Sequence, residues 1–112
     1  ARMVKMELDT IKRLQKSGFT LLSNVHITNP NTVALFMQLH DAAAAADVNL
    51  GTTTPNYVLV VPAGVSATDV GALDKDFIHR LKFDLGLVWA ITTTNTGSTG
   101  PTSNCGVSIS YS

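Results

Sequence analysis

Few side chains in this sequence could do chemistry, and their spacing narrows the options. There are three histidines (His26, His40 and His79), one cysteine (Cys105) and eight carboxylates balanced by eight Lys and Arg. Three histidines and an aspartate such as Asp41 would suit zinc, but no His-x-x-x-His or comparable ligand spacing is present. His40-Asp41 is a donor–acceptor pair at a strand end, where a histidine caps backbone groups by hydrogen bonding. Cys105 would act as a nucleophile if a histidine or cation lowered its pKa. Asn104 and Gly106 flank it instead, which favours a small buried or half-buried cysteine at a strand start.

The remaining candidates are weaker. Asp74, Asp76 and Asp84 hold fragments of a calcium loop, but Lys75 separates the first two and a solvated loop fits better. No two carboxylates stand apart as the pair a glycosidase uses. Gly97 and Gly100 lack the following lysine and helix start of a phosphate loop, so they serve a turn. Trp89 and Tyr57 could stack on a sugar, yet both fall at inward-facing strand positions. The sequence thus assigns no catalytic, cofactor-binding or metal residue, and no cofactor.

The elements that would position these groups are strands. In Lys82–Thr94 the residues Leu81, Phe83, Leu85, Leu87, Trp89 and Ile91 share one parity, and smaller or polar residues share the other. A period of two is the strand period, so this stretch is expected as one central strand, bent near Asp84–Gly86. Phe19, Leu21, Ser23, Val25 and Ile27 give a second strand with odd positions inward. Asn29-Pro30-Asn31-Thr32 is a turn, and Val33, Leu35, Met37 and Leu39 complete a hairpin. Asp41–Asn56, with its alanine tract, reads as a surface loop holding one helical turn. Tyr57–Val61 is nearly all apolar and is expected to be covered on both faces. Val65–Val70 reads as a modest strand, Gly71–Phe77 as a loop, and Asn95–Asn104 as a turn-rich polar loop. Val107, Ile109 and Tyr111 alternate with serines in a last strand.

Ala1–Gly18 suits two readings. Val4, Met6 and Leu8 alternate as in a strand, while Val4, Leu8, Ile11, Leu14 and Gly18 suit an amphipathic helix with a glycine stop. Thr10–Leu14 would make a second short strand. The domain reading is an arm or first strands over 1–18 and a sandwich over 19–112. Short strands with turns between them and no long helix indicate an all-β antiparallel β-sandwich, jelly-roll-like, of about eight strands.

Composition bounds the role. The chain has 112 residues, is 45% hydrophobic and only 14% charged, and carries no formal net charge. The usual charged share is about 25%, so a surface this poor in charge is expected to be packed against neighbours. Balanced charge argues against nucleic acid. A single cysteine excludes an internal disulfide, and no apolar run approaches the ~20 residues of a membrane span. The Ala1 start fits a cytoplasmic product after methionine removal.

Three stretches together resemble small β-sandwich virion structural proteins of tailed bacteriophages. Phe36-Met37-Gln38-Leu39-His40-Asp41-Ala42 resembles their strand-to-loop signature. Val60-Val61-Pro62-Ala63-Gly64 resembles the turn that follows it, and Leu81 to Thr92 resembles their final phenylalanine, glycine turn and apolar strand. The resemblance spans Phe19 to Tyr111. Gly71–His79 departs from it, since the family is shorter and richer in glycine there. The resemblance implies a structural role without catalysis, in the virion after assembly in the host cytoplasm. It implies a capsid decoration or cement protein contacting the major capsid protein, as a homo-oligomer with a trimer favoured. The alternative it leaves is a neck, tail or fibre module that binds a receptor or glycan through Gly51–Asn56 and Asn95–Asn104.

Overall fold

The computed structural model describes residues 2–8, 13–65, 69–101 and 105–112, with side chains from Leu14 onward. Its strands are β1 (Arg2–Leu8), β2 (Arg13–Ser17), β3 (Thr20–Asn29), β4 (Leu35–Asp41), β5 (Tyr57–Val61), β6 (Gly71–Phe83), β7 (Gly86–Thr92) and β8 (Cys105–Tyr111). One sheet runs β1-β8-β3-β6 and the other β2-β7-β4-β5. Every neighbouring pair is antiparallel. Consecutive strands change sheet at each connection except β4–β5, so β3 and β4 lie in different sheets and do not form the expected hairpin. That order is the jelly roll, so the chain is the all-β antiparallel sandwich that the alternation predicts.

Period-two alternation builds the core. Leu35, Met37 and Leu39 of β4, Leu87, Trp89 and Ile91 of β7, and Val107 and Ile109 of β8 meet Val25 and Ile27 of β3 between the sheets. Each such side chain contributes about 1.5–3 kcal/mol on burial. The Trp89 indole N–H donates to Gln15 Oε1 at 3.1 Å, which satisfies the one polar atom that burial would strand.

β7 is buried on its other face as well. Val88 packs with Ala42 and Val48, and Leu50 leans on them. Since Val88 alternates with Leu87 and Trp89, this smaller cluster lies on the outside of the second sheet. The segment after β4 therefore folds back over that face. It carries a single 3-10 turn, Ala45–Asp47, where one helical turn is expected. No helix among the described residues is long and apolar enough to cross a membrane.

Several expectations need correction. Lys82–Thr94 is not one strand. β6 stops at Phe83, the chain turns a corner between the sheets at Asp84–Leu85, and β7 starts at Gly86. Leu85, expected inward, is 58% exposed at that corner. In β3 the inward set is not all odd. Thr20 and Leu22 are buried, then a register shift between Leu22 and Asn24 moves burial to Val25, Ile27 and Asn29. A bulge adds one residue and so flips the parity, and Phe19 is left exposed in the preceding turn.

β5 is not covered on both faces. It is an edge strand, with Tyr57, Val58 and Val60 exposed. Gly71–Phe77 is not a loop but the first half of the 13-residue β6. For the expected strand Val65–Val70, residues 66–68 lie outside the described residues, and Asp69 makes only an isolated bridge. The ambiguous first segment supplies strands. β1 pairs with β8 from Arg2↔Tyr111 to Leu8↔Cys105, and β2 pairs with β7. Residues 10–12 of the expected Thr10–Leu14 strand lie outside the described residues.

Candidate functional site

The structure scatters the residues that could do chemistry. His40 lies on the outward parity of β4, buried beneath the loops that cover the second sheet, and its Nε2 is 3.0 Å from Gln38 Oε1. His26 is exposed on β3 in the other sheet, opposite Asp74 and Ser108. His79 is exposed on β6. Among the described residues, no three His, Cys, Asp or Glu side chains come together as a metal site. Asp74 and Asp76 converge on one amide instead. Asn24 Nδ2 donates to Asp74 Oδ1 at 3.1 Å and to Asp76 Oδ1 at 2.6 Å. Asp84 sits at the corner after β6, where it pairs loosely with Lys82 at 3.8 Å in solvent.

Cys105 is fully buried in the core at the start of β8. Burial pushes its thiol up from its ordinary 9.0 to about 11, because an anion there would lose its water. It is therefore a packing residue, protonated at neutral pH. Below pH 9 the thiol is protonated in both folded and unfolded chains. Above that, the unfolded chain loses its proton first, so stability falls as pH rises toward 11. Urea titrations should show this cost growing by about 2–3 kcal/mol relative to Cys105→Ala. Equal pH profiles for the two chains would show that the thiol is not shielded.

The aromatic candidates divide. Trp89 is fully buried and cannot reach a sugar. Tyr57 is partly exposed and packs edge-to-face on Phe83, with ring centroids 5.9 Å apart. Val58 and Val60 beside it on β5, and Ile78 on β6, are also exposed. These two strands are the edges at one side of the sandwich.

The two polar loops do come together. Residues 49–53 close a tight turn, with Thr52 and Thr53 N–H both donating to the Asn49 carbonyl. A methyl added at Gly51 would lie 3.6 Å from Ser98 of the other loop. Beneath them lies a buried polar cluster. Gln38 Nε2 donates to Thr92 Oγ1 at 2.8 Å and to the Gly97 carbonyl at 2.9 Å, and Thr92 Oγ1 donates to the Thr94 carbonyl. Gly97 is thus a turn residue, held from below. Residues 102–104 of this loop lie outside the described residues.

Two structural roles escape pattern reading. Asp41 caps the end of β4. Its carboxylate accepts the N–H groups of Asp84 at 3.0 Å, Leu85 at 2.8 Å and Gly86 at 3.3 Å, so it clamps the β6–β7 corner. Asn29 organises the opposite turn, donating to the Val33 and Pro62 carbonyls and accepting the Asn31 N–H. A turn residue at the end of an apolar strand is the only hint of either, because the partners of Asp41, and Pro62 among those of Asn29, lie tens of residues away. The arrangement presents a joined pair of polar loops and, on the outer faces of the two edge strands, exposed Val58, Val60 and Ile78. No protein-family model matches the chain, and no curated protein matches it.

Proposed function

We propose that the chain is a structural subunit of a tailed-phage particle, a capsid decoration or cement protein that acts by contact and not by turnover. The observation that carries this reading is the exposed apolar set on β5 and β6, edge strands of a charge-poor jelly roll. Jelly rolls recur in viral capsid and lectin domains, and open sheet edges are surfaces that take partners. The resemblance supplies the kind of particle. Its motifs also work together here, since Asp41 of the first holds the corner that opens the third. The partner in this reading is the major capsid protein, with further contacts between copies of the chain. Purified chain mixed with undecorated particles and imaged by electron microscopy should give ordered density at the shell joints. A bare shell would remove the decoration role.

A second reading follows from the meeting of the two polar loops at Gly51 and Ser98. In it the chain is a neck, tail or fibre module that binds a host receptor or glycan. A glycan array separates the two readings, because a receptor module binds saturably and a cement does not.

A further inference from the structure

β6 is the outer strand of the first sheet, and its middle departs from the ladder. Asn24 pairs with Asp76 and Leu22 with Leu81, so only Ser23 stands opposite residues 77–80. Arg80 takes φ 53°, in the left-handed region. Leu73, Phe77 and Leu81 pack against the core, and the even positions Asp74, Asp76, Ile78, Arg80 and Lys82 form an exposed row, with Lys75 and His79 exposed as well. Ile78, at the centre of that outward row, is 90% exposed beside a shallow depression of about 280 Å³.

The charges along this row are not mixed at random. Two acids precede Ile78 at even steps and two bases follow it at even steps. We infer that two copies of the chain pair antiparallel through β6, about a two-fold axis at Ile78. In that register Asp76 of each copy faces Arg80 of the other, and Asp74 faces Lys82. Each residue thus meets an opposite charge, and the two exposed isoleucines meet on the axis. Directly opposite charges in neighbouring strands attract, and like charges repel. Moving the axis to Asp76 or Arg80 sets that residue against its own copy. Moving it to Phe77 or His79 keeps only one kind of opposite pair. A bulge and charged side chains discourage an edge from pairing with arbitrary strands, and this charge order leaves one self-match attractive. An isologous contact is the commonest way for a chain to meet itself. The inference does not rest on the phage reading, and it differs from the trimer implied there.

The test is the mass in solution by light scattering or sedimentation, over a concentration series at low and high salt. The expected species is a dimer that weakens as salt rises. Asp76→Arg turns both symmetry-related attractions into repulsions and should weaken the dimer about tenfold or more. The doubly exchanged chain, Asp76→Arg with Arg80→Asp, should regain the wild-type association, since aspartate tolerates the left-handed region. Unchanged circular dichroism shows that each variant is folded. A monomer at every concentration, a trimer, a dimer indifferent to Asp76→Arg, or a double exchange that restores nothing would each overturn the pairing.

Discussion

Gly86→Ala should leave the chain largely unfolded, or cost about 4 kcal/mol or more in a urea titration. Gly86 opens β7 with φ 149°, a region that residues with a Cβ rarely enter. Space is closed as well. A Cβ there would lie 2.6 Å from the carbonyl oxygens of both Ala42 and Lys16, and backbone does not yield as the end of a side chain would. Those carbonyls belong to segments that depend on this point. Ala42 N–H donates to the Gly86 carbonyl at 3.1 Å, and Gly18 N–H donates to the Leu85 carbonyl at 2.8 Å. The control is Gly18→Ala. Gly18 also has positive φ, at 88°, but an added Cβ meets nothing within 4 Å. It should cost only about 1 kcal/mol, from backbone strain alone. Equal losses at the two positions would mean that crowding at Gly86 is not the cause.

Asp41→Ala should cost about 3–4 kcal/mol and lower Tm by roughly 12–20 °C. One carboxylate accepts three successive N–H groups of the corner between β6 and β7. Hydrogen bonds to a charged group contribute about 1.5–3 kcal/mol each. Asp84 and Leu85 are exposed, so their N–H groups can turn to water and the three losses do not simply add. Gly86 is buried and has less recourse. Asp41→Asn keeps an acceptor without the charge and should lose about half as much. Thermal unfolding of the three chains in one buffer checks the order. A stable Asp41→Ala chain would show that packing alone holds the corner.

The fold class is legible because alternation is a local signal. β4, β7, β8 and the second half of β3 can each be read from a few consecutive residues. The sequence hides whatever depends on a partner. The bulge at Ser23 looks like unbroken alternation until β6 is laid beside it. The bend expected near Asp84–Gly86 is there, but that it is a crossing between sheets stays hidden, since Leu85 keeps the parity of Phe83 and Leu87 while lying exposed. Val58 and Val60 look like interior residues because apolar content does not say whether a strand lies at an edge. In the candidate surfaces, the polar loops announce themselves by composition, but their meeting at Gly51 and Ser98 does not. Gln38 and His40 fall on the polar parity of β4, yet both are buried.

Those folded-back loops give the slab, 38 × 29 × 19 Å overall, a roofed side and a bare side. Ala42, Val48 and Leu50 tie the roof to Val88, while His26, Asp74 and Asp76 stand in solvent on the far side. A copy turned over would show its neighbours a different landscape, so every copy carries its own up and down. A peptide grafted between Thr53 and Thr54 would rise from the roof and leave the β6 rim clear, which makes the chain a one-way display platform.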